Sequence, residues 1–356
     1  MKQIRILLIT VIAAIAFVGC EEALMSPKPK VNNIAVFDEY VKLVKEKYAM
    51  LEFKQVDIDA LSQRLRKDIT NDMSKKELFE KMGEITQSLK DGHSSLLEVP
   101  EAQLAETSLA SQYDFLKGYP AGFDLETMLR NYIGKDVNKN VNMIPSENGE
   151  GVRIAWTTLP KHDNIAYVWV PTWNEEISMS QIEEIFAWMK DKKGLILDMR
   201  QNTGGDPELA TRFASYFLKG DTKTGFERFK IGPAKGDFKD SPTTLKPAKS
   251  ENLFHKKVMV LVDRYVYSAA TTFCYSVDPL EHVTFVGQRT GGGSGAVADG
   301  YLMNGWYWSL SVSEYIDARG RHLDNGFEPD IPVVLDLKDQ TKDEVIERAI
   351  VELNKQ

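Results

Sequence analysis

Apolar positions follow three successive patterns along the chain. The first is a thirteen-residue apolar run from Ile6 to Val18 with Thr10 within it. It is too short to span a bilayer and has the length of an export-signal core. A tether rich in Pro, Lys and Asn occupies 20–33. The second pattern has helical spacing: Phe37, Tyr40, Val41, Val44 and Tyr48, then Leu61, Leu65 and Ile69, then Leu78, Met82, Ile85 and Leu89. Ser74 and Glu77 form a capping box for the third helix, with Met73 and Leu78 placed as a hydrophobic staple. Lys90-Asp91-Gly92 ends it, with the glycine suited to a C-terminal turn. These stripes predict a helical N-terminal domain over 34–115. Residues 116–163 read as a connecting region with a few strands, marked by turns at Tyr119–Gly122 and Pro145–Gly151.

The third pattern, over 164–356, alternates short continuous apolar runs with helical stripes. Ile165–Val170, Gly194–Met199, Lys257–Val262 and His282–Val286 read as buried strands. Between them lie a helix from Ser180, capped by Ser180 with Glu183, a helix capped by Asp206 with Pro207 at its first position, and a helix opened by Ser268. Such alternation predicts an α/β core with parallel strands and right-handed crossovers. After Gly300 the pattern turns to hairpins, with Asn304-Gly305 as a turn signal. A last helix follows Thr341, capped with Glu344.

Charge and cysteine content narrow the class. The 356 residues carry a formal charge of −8, and no basic stripe appears, so nucleic acid is not an expected partner. The segment Phe17-Val18-Gly19-Cys20 looks like a lipoprotein processing site, which would anchor the chain to a membrane through lipid on Cys20. Lys2 and Arg5 leave with residues 1–19, taking the charge from −8 to −10. With Cys20 lipidated, Cys274 has no partner and reads as a buried small hydrophobe. The expected location is the cell envelope, with the membrane face undetermined. No metal-ligand pattern appears and no cofactor is expected.

Three segments could carry chemistry. Ser268 follows a strand and opens a helix, so it is either a plain N-cap or a hydroxyl exposed beside free helix-start N–H groups. Gly204 and Gly205 end a strand carrying Asp198 and Arg200. Paired glycines let a backbone approach a ligand closely, while a turn held by a surface ion pair is the plainer reading. Of the five histidines, His93, just past a helix end, and His322, near Asp324, are the candidates for a base to Ser268. Asp324 could orient an imidazole or be a solvated turn carboxylate.

Taken together, Asp-Gly-His-Ser at 91–94, Leu-Asp-Met-Arg-x-Asn-x-Gly-Gly at 197–205, Tyr-Ser-Ala-Ala at 267–270, the glycine run Gly291–Gly293 and Gly-Phe-Glu-Pro-Asp-Ile at 326–331 resemble the C-terminal processing (tail-specific) serine proteases. The likeness is to the tricorn-core-like branch without a PDZ domain, as in Bacteroidetes-type lipoproteins. That resemblance implies a crotonase/ClpP-like α/β protease core behind the N-terminal helical domain. It implies Ser268 as nucleophile, His93 as base and Asp324 as the acid, one methylene shorter than the usual glutamate. Ala269 with Gly204 or Gly205 would supply the oxyanion hole, and Ser94 or Gly92 would assist. The lysine base of the other branch falls at Gly293, 25 residues after Ser268. Between His93 and Ile165 no carboxylate-binding glycine loop marks a PDZ domain. The expected activity is a serine-type endopeptidase acting on exported or envelope polypeptides, with a homo-oligomer open. The alternatives are a catalytically inactive peptide- or ligand-binding lipoprotein on the same fold, and an esterase. The aromatic group Trp306, Tyr307 and Trp308 reads as hairpin packing rather than a ligand platform.

Overall fold

A computed structural model describes residues 31–98, 109–119, 141–339 and 341–355. The export segment and Cys20 lie outside them, as does 120–140 of the connecting region. Three helices open the described chain: α1 (Asn33–Lys47), α2 (Ile58–Arg66) and α3 (Lys75–Ser88). Their stripes bury Phe37, Tyr40, Val44, Leu65, Leu78, Met82 and Ile85 in one cluster. The capping box of α3 is present on both sides. Its end differs from expectation. Lys90, not Gly92, takes the left-handed conformation, with φ 51°. Gly92 is needed for space instead: a Cβ there would lie 2.8 Å from both Phe115 and the Tyr267 hydroxyl.

Two short strands, β1 (Ser95–Leu97) and β2 (Ala110–Gln112), follow the helices. They join β11 (Val297–Tyr301) and β12 (Tyr307–Ser311) in a sheet of order β11-β12-β1-β2. Leu96 stands opposite Trp308 in the antiparallel β1–β12 pair. Trp306 and Trp308 are buried in the same cluster as the three helices. The N-terminal region is therefore covered by a hairpin from the far end of the chain.

The central sheet has seven strands in the order β14-β10-β9-β6-β5-β4-β3. These are β3 (Asn142–Pro145), β4 (Val152–Leu159), β5 (His162–Trp169), β6 (Gly194–Asp198), β9 (Lys257–Val262), β10 (Val283–Gly287) and β14 (Ile331–Pro332). The run from β5 to β14 is parallel, while β3 and β4 pair antiparallel at the edge. Alternation along each strand divides the core. Ala166, Val168, Leu195, Leu197, Val258 and Val260 face the larger cluster under α4 (Met179–Met189), α5 (Pro207–Ala214) and α6 (Ala269–Val277). Tyr167, Ile196, Met259 and Leu261 face α7 (Glu344–Asn354). Burial on both faces explains why these strands read as continuous apolar runs. A third sheet, β13-β7-β8, is formed by β7 (Thr222–Lys230), β8 (Phe238–Leu245) and β13 (Ser313–Asp317).

Two caps differ from expectation. Helix α4 is capped by Ser178 with Gln181, not by Ser180 with Glu183. Glu183 instead accepts hydrogen bonds from Tyr216, Ser250 and Asn252. Helix α7 is capped by Asp343, which accepts the N–H groups of Val345 and Ile346.

Candidate active site

Ser268 sits between β9 and α6, and it is not a plain N-cap. Its side chain makes no capping hydrogen bond, and its backbone has φ 56° and ψ −124°. A residue with a Cβ held at positive φ costs on the order of 1–3 kcal/mol and persists only when its surroundings fix it. The surroundings here are specific. The Ser268 N–H donates to Gly292 O at 2.9 Å, Tyr267 N–H to Asn202 O at 3.2 Å, and Thr271 Oγ1 to Gly292 O at 2.6 Å. The glycine run makes this contact possible. A Cβ on Gly292 would lie 2.0 Å from Asp324 O, and one on Gly293 would lie 2.1 Å from the Tyr267 ring. The Tyr267 ring thus fills the space into which a side chain at 293 would grow.

His93 meets Ser268 from the other side. Its Nε2 lies 3.0 Å from Ser268 Oγ. The helix end and Asp91 set this position: Asp91 Oδ1 accepts the His93 backbone N–H at 2.9 Å, and His93 O accepts the Ser309 hydroxyl at 2.7 Å. Asp91 Oδ2 takes the hydroxyls of Ser94 and Ser311, each at 2.7 Å. The imidazole also packs on Tyr267, with ring centroids 4.9 Å apart, and Tyr267 stacks on Phe115. Burial pushes the His93 pKa down, and the Asp91 charge pulls it partly back. The ring is therefore neutral near pH 7, as a proton acceptor must be.

The other candidate base goes elsewhere. His322 Nε2 pairs with Glu314 at 2.9 Å, and its ring stacks on Phe53 with centroids 3.5 Å apart.

Asp324 is neither a solvated turn residue nor bonded to the imidazole. It is 4% exposed, and its Oδ2 pairs with Lys54. Its Oδ1 and His93 Nδ1 are both buried without a hydrogen-bond partner among the described residues. Burial, together with the Asp91 charge, lifts its pKa to about 6 despite the opposing pull of Lys54. A direct Asp324–His93 hydrogen bond, the arrangement the resemblance implied, is not made: Lys54 holds Oδ2, while Oδ1 and His93 Nδ1 do not engage each other.

The glycine turn lies against Ser268. A Cβ on Gly204 would lie 2.7 Å from Ser268 Cβ and 2.8 Å from Ala269 N. The two glycines differ in what their N–H groups do. Gly204 N–H donates to Asn202 Oδ1 at 2.9 Å. The N–H groups of Gly205 and Ala269 have no acceptor among the described residues. The turn is held from below by a buried network. Arg200 donates to Asp198 at 2.6 and 2.9 Å and to Asp343 at 2.8 Å, and Tyr167 donates to Asp198 at 2.7 Å. This ion pair was read from sequence as surface, but Arg200 is 1% exposed.

Sequence reasoning gave no role to Lys54, Asp91, Ser309, Ser311 or Tyr267. Asp91 and Tyr267 open two of the motifs already singled out. Lys54 stands in a polar loop with no local signal.

Residues 164–333 match peptidase family S41. Across 91% of this chain and 98% of its own, a crystal structure of a candidate peptidase from Parabacteroides merdae is 30% identical, with a TM-score of 0.79. Mature CPAF bound to lactacystin shares the fold at 13% identity and TM-score 0.62, over 90% of this chain and 97% of its own. The photosystem II D1 C-terminal processing protease does so at 14% identity and TM-score 0.53, over 89% and 97%. No curated protein sequence matches. The α/β protease core, the matched residues and the Parabacteroides relative together show that the chain belongs to peptidase family S41.

Proposed function

We propose that the chain is a serine endopeptidase working through Ser268 and His93. The 3.0 Å approach of His93 Nε2 to Ser268 Oγ carries this reading. In the reaction, the Ser268 hydroxyl donates its proton to Nε2 as Oγ attacks the peptide carbonyl carbon. The N–H groups of Ala269 and Gly205, which have no acceptor among the described residues, hold the developing oxyanion in this reading. His93 then returns the proton to the leaving amine. Water attacks the acyl-enzyme by the same route in reverse, freeing Ser268.

A second reading, a peptide-binding lipoprotein on the same fold, draws on the unpartnered His93 Nδ1. The strained backbone at Ser268 weighs against it, because simple ligand binding has no use for a serine held at positive φ. The proposed substrate is an exported or envelope polypeptide, reached by a protein anchored through lipid on Cys20. Metabolic labelling with a fatty-acid analogue should mark the wild type and not Cys20→Ala.

The activity test is cleavage of an unfolded, fluorescently quenched protein. The wild type should release fluorescence and Ser268→Ala should not. Equal release by both would remove Ser268 from the reaction.

A further inference from the structure

The Lys54 ammonium is buried 3% exposed at its side chain, which is unusual for a lysine. All three of its N–H groups are used. One goes to Lys90 O at 3.0 Å, one to Asn325 Oδ1 at 2.5 Å, and one to Asp324 Oδ2. These acceptors lie on two different parts of the site. Lys90 is the left-handed residue that ends α3 and leads into Asp91-Gly92-His93. Asp324 O accepts the Gly293 N–H at 2.9 Å, and the adjacent Gly292 O holds the Ser268 N–H. One ammonium thus bridges the segment carrying the base and the loop holding the nucleophile.

Charge gives the bridge a second consequence. The described titratable groups around Asp324 are Lys54 from the α1–α2 loop, Tyr48 at the end of α1, Asp91 after α3, Tyr267 before α6, and His322 after β13, and His93 joins them through Asp91. His322 pairs with Glu314, and Glu314 with Arg228 at 2.8 Å, so that pair is compensated separately. Both tyrosines are held neutral by burial. Asp91, Asp324 and Lys54 then sum to a single negative charge. When His93 accepts the Ser268 proton, the buried cluster becomes neutral. Without Lys54 the same cluster holds two negative charges in a low-dielectric site. It would take up a proton at higher pH, on Asp324 or on His93. The two sites are linked through Asp91, whose charge acts on both. A proton on His93 removes the base directly.

We propose that Lys54 is a positioning residue for the Ser268–His93 pair, acting as counter-charge to Asp324 and as bridge between the base and nucleophile segments. This rests on the serine-peptidase reading above. The test is the pH dependence of fluorophosphonate labelling of Ser268 in the full-length chain in detergent, with folding followed by circular dichroism. Wild type, Lys54→Met, Asp324→Asn and the double variant are compared. Lys54→Met should label at least about tenfold more slowly at pH 7, with its acid limb moved at least about one pH unit alkaline. The double variant, with the net charge restored, should return the limb toward the wild-type position. A folded Lys54→Met with an unmoved limb would overturn the proposal, whatever its rate, as would a double variant whose limb stays displaced. If Lys54→Met does not fold, the double variant is compared with Asp324→Asn. Loss of Lys54 must again move the limb alkaline, and an unmoved limb overturns the proposal. Absence of labelling in the wild type would instead defeat the peptidase reading itself.

Discussion

Three residues carry the proposed chemistry, and each is fixed by a different physical cause. Ser268 is held at positive φ by its backbone partners, His93 by its N–H bond to Asp91 and the Ser309 hydroxyl on its carbonyl, and Gly204 by lack of room. Gly204→Ala places a methyl between the turn and Ser268. By pushing the Ala269 and Gly205 N–H groups out of place, it should cut the rate by about 100- to 1,000-fold, the range seen when an oxyanion donor is lost. Thermal melting should show that the variant is still folded. A Gly204→Ala enzyme with wild-type turnover would mean that the turn is not at the oxyanion. The pH behaviour also belongs at this scale. The burial-lowered pKa of His93 means that the base form is lost only as pH falls through a value below 6.5. Turnover should therefore be flat from pH 7 to 8 and fall on the acid side. A limb above pH 7 would assign the base to another group.

Elements were legible to the extent that their pattern was local. The capping box of α3 and the Asp206-Pro207 start of α5 could be read because the residues and their partners lie within a few positions. The cap of α4 was misplaced because Glu183 is claimed by distant Ser250 and Asn252, which no window shows, whereas the α7 cap, Asp343, is a local signal two residues beyond Thr341. Ser268, His93 and the glycine turn were visible through their motifs. The acid was harder, since Asp324 is defined by Lys54, 270 positions away and without any pattern of its own. The Arg200 network shows what such distant contacts do for elements. Arg200 ties the end of β6 to the start of α7 through two carboxylates, both fully buried. Arg200→Met leaves them unpaired and should destabilise the fold by about 3–5 kcal/mol. Urea unfolding measures this, and a loss below 1 kcal/mol would mean that the network is dispensable.

At the scale of the whole molecule, the site is assembled from two regions. The N-terminal helices bring His93, the α/β core brings Ser268, and the β11–β12 hairpin closes over the helices through Trp306 and Trp308. Trp308→Ala should cost about 3–5 kcal/mol by leaving a cavity in the N-terminal cluster. It should also lower turnover, because β12 carries Ser309 and Ser311, which hold the His93 segment. The two-region origin explains why composition and periodicity alone could suggest an α/β fold but not where its site lay. The most direct test of the account is mass-spectrometric mapping of a fluorophosphonate adduct on the wild type and on His93→Ala. The account predicts an adduct on Ser268 in the wild type and at least about 100-fold slower labelling in His93→Ala, a loss in the range of general-base catalysis. An adduct on another residue, or equal labelling of the two proteins, would contradict it.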